Sequence, residues 1–95
     1  MDLLILTDSA TSHSYLFDYA LAGGAVNFFS HAGADGQSEL LEVFRLLAAH
    51  PTRAGDYTVL RDGRVNQVAQ HGRFLVTYWP DHSVRELRVT ELAWS

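Results

Sequence analysis

The run Arg73-Phe74-Leu75-Val76-Thr77-Tyr78-Trp79 constrains this chain most. β-Branched and aromatic residues suit a pleated, half-buried surface, so the run reads as a strand. In a strand, Phe74, Val76 and Tyr78 share one face, with Leu75, Thr77 and Trp79 on the other. Both faces are largely apolar, which predicts a central strand rather than an edge. Residues 57–92 are organised around it as three or four strands joined by tight turns. Pro80-Asp81-His82-Ser83 supplies turn chemistry, and residues 84–92 return as a strand in which Leu87 and Val89 alternate with Glu86, Arg88 and Thr90.

Upstream of that strand, Asp62-Gly63 favours a two-residue hairpin turn with positive φ at both positions. Such a turn sets Leu60 against Val65, Val59 against Asn66 and Arg61 against Arg64. Like charges opposed across strands are unfavourable, so an anion, a carboxylate or splaying into solvent must relieve the two arginines.

Helical spacing governs the next element back. Leu40, Leu41, Phe44, Leu47 and Ala48 form one apolar stripe opposite Glu39, Glu42 and Arg45, which predicts a helix over 38–50 packed on the sheet. Asp35 or Ser38 is its expected cap, His50-Pro51 its end, and Gly33-Ala34-Asp35-Gly36 a break before it. Residues 3–6 form a short apolar run suited to a buried strand. Residues 10–22 carry Leu16, Phe17, Ala20 and Leu21 at helical spacing, with Gly23-Gly24 as the stop. The competing reading makes 15–21 and 25–30 the arms of a hairpin around those glycines. Residues 25–30 fit either a short strand or the start of a second helix.

The fold class expected is α+β: a single domain over 1–95, with an N-terminal strand and one or two helices on a C-terminal antiparallel sheet of three to four strands. Ninety-five residues, 47% hydrophobic and 19% charged, suit one globular core. Cysteine is absent, which excludes disulfides and thiolate metal sites and is compatible with a cytoplasmic location. The N-terminal apolar run has no basic flank and is too short for a signal peptide or a membrane span. All seven basic residues are arginines, and a net charge of −4 argues against broad affinity for nucleic acid.

Motifs for catalysis are sparse. The five histidines show no i, i+4 pair, the glycines make no phosphate-cradling loop, and no serine sits in a nucleophile elbow. No cofactor or metal is expected. Arg61, Arg64, His71 and Arg73, carried by successive turns and strand ends, form the best polar cluster. Guanidinium groups suit phosphate recognition, and a histidine can move a proton near neutral pH. This set could serve RNA backbone cleavage, receive an acidic partner, or be a solvated rim. Arg61, Arg64, Arg73 and Tyr78 are the binding candidates; His71 and Arg73 are the catalytic candidates if the chain is a nuclease. Tyr78-Trp79 could also stack a base, although such a pair is more often core.

Several strings resemble the RelE/ParE toxin superfamily of toxin–antitoxin systems. Leu6-Thr7, Ala10 and Phe17-Asp18-Tyr19 are similar to the first strand and helix of those toxins. Leu46-Leu47-Ala48-Ala49-His50-Pro51 is similar to the end of their second helix, and Phe74-Leu75-Val76-Thr77-Tyr78 with Asp81 and residues 84–89 to their central hairpin. The resemblance implies an N-terminal strand, a helical hairpin and a curved antiparallel sheet. It also implies a growth inhibitor neutralised by a cognate antitoxin, acting on mRNA in the ribosomal A site or on DNA gyrase. The partners expected are therefore the antitoxin or another protein, gyrase or the ribosome with mRNA, and a second copy of the chain in a homodimer; no membrane is expected. The chain departs from the nuclease pattern: it has no lysine, Leu75 replaces an arginine common in the central strand, and residues 90–95 carry no basic or tyrosine-bearing tail. The expectation is a toxin that binds rather than cuts. The alternative is a non-enzymatic immunity or inhibitor protein that blocks a partner with its acidic surface.

Overall fold

The computed structural model describes the backbone of Leu4–Leu6 and residues 17–95. In order, the elements are β1 (Leu4–Leu6), β2 (Asp18–Leu21), α1 (Gly23–Ser30), α2 (Gly33–Ala49), β3 (Tyr57–Arg61), β4 (Arg64–His71), β5 (Phe74–Asp81) and β6 (Glu86–Trp94). The strands form one six-stranded sheet in the order β1-β2-β6-β5-β4-β3. β3 to β6 make a four-stranded antiparallel meander, at the upper end of the three to four strands that the sequence predicts. The rest differs from expectation: β2 adds parallel to β6 and β1 adds antiparallel to β2, so the sheet is larger and mixed.

The correction at residues 17–30 has a physical cause. Asp18 is exposed while Tyr19, Ala20 and Leu21 are buried, and residues 18–21 pair with β6 on one side and β1 on the other, which makes them an inner strand instead of the end of a helix. Residues 10–16 of the expected helix lie outside the described residues. Gly23-Gly24 opens α1 and does not end an element, and residues 25–30 are helical, so the hairpin reading fails too. The Ala22 N–H still bonds the Val89 carbonyl at 2.9 Å, and the Ala22 carbonyl accepts from Val26 N–H at 2.9 Å. The chain thus passes from strand to helix with no free backbone between.

α1 ends at His31, and Gly33, at φ +78°, turns the chain into α2. α2 therefore starts five residues before Ser38. Its N-cap is Ala32 with no side-chain cap, and Asp35 lies inside the first turn, where a carboxylate favours the helix dipole. Gln37 Nε2 donates to the Phe29 carbonyl at 3.0 Å and ties the two helices together. The expected stripe holds: Leu40, Phe44, Leu47 and Ala48 are buried.

One core lies between the helices and one face of the sheet, joining Tyr19, Leu21, Leu40, Phe44, Phe74, Val76, Tyr78, Leu87 and Val89. β5 is central, as expected, with Phe74, Val76 and Tyr78 turned to the helices. It runs on through Pro80 and Asp81, past the point where β4 stops pairing with it, so the missing proline N–H interrupts no β4 ladder bond. The turn falls at residues 82–85, with Arg85 at φ 54°; Val84 is in that turn and exposed rather than in a strand. Asp81 Oδ1 accepts from the Ser83 N–H and hydroxyl at 3.2 and 2.6 Å and holds the turn.

Candidate functional site

The face of the sheet away from the helices holds two of the polar side chains singled out by sequence, Arg61 and Arg64. Asp62 and Gly63 have φ 53° and 73°, and the hairpin register is the predicted one, with Arg61 opposite Arg64. The repulsion is relieved within the chain. Arg61 forms an ion pair with Glu91 of β6, while the Arg64 guanidinium lies 3.7 Å from the centre of the Trp79 ring. On the same ring, Arg88 stands 5.7 Å away and is itself held by Asp81 and Glu86 at 2.9 and 3.3 Å. The Ser83 hydrogen bonds, with Arg88 nearby, hold the Asp81 carboxyl below its usual range. Arg64 therefore occupies one face of the Trp79 ring, and Tyr78 is buried in the core.

Beneath these groups, buried Asn66 locks the sheet. Its Oδ1 accepts from the Thr90 hydroxyl at 2.8 Å, the Thr90 hydroxyl oxygen also lies 3.3 Å from the Thr77 carbonyl, and Asn66 Nδ2 donates to the Arg64 carbonyl at 3.2 Å. This network crosses β5 beside the register shift at Thr77/Tyr78, joining β4 to β6. Beside it runs a shallow groove of about 190 Å³, floored by Val59, Val68, Leu75, Thr77 and Ala93 and walled by Tyr57 and the Arg61–Glu91 pair. Tyr57, Leu60 and Val65 leave large apolar side chains exposed around the hairpin.

The four-residue polar cluster is not one site. Arg64 and His71 occupy opposite ends of β4, about 23 Å apart for an extended strand of that length. Arg73 turns the other way and bonds Glu39 of α2 at 2.7 Å, beside Phe74 and Trp94. His71 lines a separate cleft of about 170 Å³ at the C-terminal end of α2.

Sequence reasoning missed that cleft. His50, Arg53, Asp56, His71 and the Tyr78 phenol all line it. The Tyr78 hydroxyl reaches the Arg53 carbonyl at 3.4 Å, and Asp56 Oδ2 accepts from the Gln70 N–H at 2.7 Å. Burial, then the nearby Asp56 charge, raises the pKa of the phenol. The residues come from a helix end, a loop and two strands, so no local spacing announces them. Gly55 makes the close approach to β4 achievable: a Cβ there would stand 2.6 Å from the Val68 carbonyl oxygen.

The chain matches no family model, no curated protein and no solved structure. Among the described residues, no three His, Asp or Glu side chains gather as a metal site, and no helix is long and apolar enough to cross a membrane.

Proposed function

We propose that this domain is a toxin of a toxin–antitoxin module that inhibits growth by binding its target, and that a cognate antitoxin neutralises it. The observation that carries the binding mode is the exposed hairpin β3–β4, where Tyr57, Leu60 and Val65 stand beside Arg61 and Arg64. Exposed aromatic and aliphatic groups with arginines are the composition of a protein-binding surface. Arg64 has no carboxylate partner among the described residues, so an acidic partner can draw it from Trp79 into a charge-assisted pair. What supports the toxin class is a helix pair, α1 and α2, followed by an antiparallel meander, as the RelE/ParE resemblance implies; β2 departs from it, standing where the resemblance implies the first helix. Dispersal of Arg61, Arg73 and His71 speaks against RNA cleavage, which needs a base and phosphate ligands at one scissile bond.

A second reading, an immunity or inhibitor protein, draws on the exposed Asp35, Glu39 and Glu42 of α2 and the net charge of −4. The identity of the adjacent gene's product separates the two, a short antitoxin or a large toxin. Titration of that product with wild type and with Arg61→Ala, Arg64→Ala tests the surface. An affinity at least about tenfold weaker in the double variant, with a gap that narrows at high salt, is expected. Unchanged affinity removes the hairpin from the interface.

A further inference from the structure

β3 is one of the two outer strands of the sheet, and among the described residues its outward edge carries none of the usual protections. Residues 57–61 read Tyr-Thr-Val-Leu-Arg, with no proline, no lysine and a single charge at the end. Such an edge is a template for another strand.

The hairpin register fixes which groups it offers. In a two-residue hairpin, the residues flanking the turn exchange both backbone hydrogen bonds, and the direction alternates from there. Arg61, Val59 and Tyr57 therefore direct their N–H and C=O groups to β4, while Thr58 and Leu60 direct theirs outward. Leu60 is 74% exposed and Tyr57 53%, so side chains on both faces of this strand have room for a neighbour.

We propose that β3 pairs with β3 of a second copy, antiparallel about a two-fold axis at Val59. This register sets Thr58 against Leu60 of the second copy, and Leu60 against its Thr58, so all four outward backbone groups of each strand find partners. On the open face it sets Tyr57 against Arg61 of the other chain at both ends, with Val59 against Val59 between them. Neighbouring registers do worse. Centring on Thr58 puts Leu60 against Asp56 and Arg61 against Gly55; centring on Leu60 puts Tyr57 against Gly63 and Thr58 against Asp62. The sequence of this edge is complementary to itself, which favours a second copy over a foreign strand. The result is a twelve-stranded sheet, twice the six strands of one chain, with one continuous open face. Two five-residue strands make a small contact, so dissociation near the 10 μM scale, about one order either way, is expected.

Sedimentation equilibrium of the full chain over a concentration series reads this, with far-UV circular dichroism to check folding. Wild type should move from the mass of one chain to that of two. Val59→Lys and Val59→Glu should each remain single, because only an axial residue meets its own copy. An equimolar mixture of the two should restore the two-chain mass. Leu60→Pro, which removes an outward N–H and leaves the β4 ladder intact, should also remain single and serves if the Val59 variants misfold. A wild type that stays single, a dimer indifferent to Val59→Lys and Leu60→Pro, or a mixture that fails to associate overturns the proposal. So does a chain that stays single yet takes an added partner's strand along β3. The readout is mass, independent of growth, so this inference and the toxin reading fail separately.

Discussion

Arg61 and Arg64 face each other across the β3–β4 ladder, yet their guanidinium groups leave in different directions, one to Glu91 and one onto Trp79. A clash that local sequence builds in is thus resolved by residues 15 and 30 positions further along the chain. Each arginine is compensated by its own partner. Glu91→Ala should destabilise the fold by about 0.5–1 kcal/mol at low ionic strength, because both side chains of the ion pair are nearly half exposed and water screens them. Urea denaturation at two salt concentrations checks this: the deficit should shrink at high salt, where the exposed arginines repel less.

Phe44 is fully buried and meets Tyr19 and Phe29 at ring-centre distances of 5.4 and 6.2 Å. Phe44→Ala should cost about 3–5 kcal/mol through lost burial and the cavity left behind. A thermal melt reads this directly, and an unchanged midpoint would remove Phe44 from the core.

The raised pKa of Tyr78 gives an alkaline signature. Burial favours the neutral phenol, so its contribution is fully present below the unfolded value of 10.0 and is lost as pH rises through the higher folded value. Stability should therefore fall from about pH 10 upward. In Tyr78→Phe, which has no phenolic proton to lose, that part of the decline should disappear. Melting temperatures from neutral to strongly alkaline pH test the sign.

Gly55 passes so close to β4 that a methyl group would overlap the Val68 carbonyl oxygen. Gly55→Ala should cost about 1–3 kcal/mol as the loop is pushed away. It should also shift the fluorescence or chemical shifts of Tyr78, whose hydroxyl shares the cleft with that loop.

Toeprinting on translating ribosomes should reveal no A-site cleavage by this chain. His71 lies in the cleft and Arg73 is bonded to Glu39, so the two do not converge on one phosphate. Clear cleavage that vanishes in His71→Ala or Arg73→Ala would make those residues catalytic.

Much of the fold was legible where one periodicity dominated. Residues 74–79 alternate two apolar faces, and residues 40–48 carry an apolar stripe that no strand would need. Asp62-Gly63 set the register of its hairpin to the residue. Residues 17–21 misled because Phe17, Ala20 and Leu21 satisfy helical spacing while Phe17, Tyr19 and Leu21 satisfy strand spacing. The parallel partner β6, some 70 positions on, decides between them, and no local signal carries that. The candidate site was half legible for the same reason. The Arg61–Arg64 opposition is local, but Glu91 and Trp79 arrive through the meander, and the cleft around Tyr78 is assembled from four separate segments.

Growth after induced expression of this chain is the most direct test of a toxin that binds its target. Wild type should arrest growth, co-expression of the adjacent gene's product should relieve the arrest, and a folded Arg61→Ala, Arg64→Ala variant should arrest growth weakly or not at all. Unimpaired growth with abundant folded wild type, or arrest equally strong in the double variant, would contradict a toxin that binds through the β3–β4 hairpin.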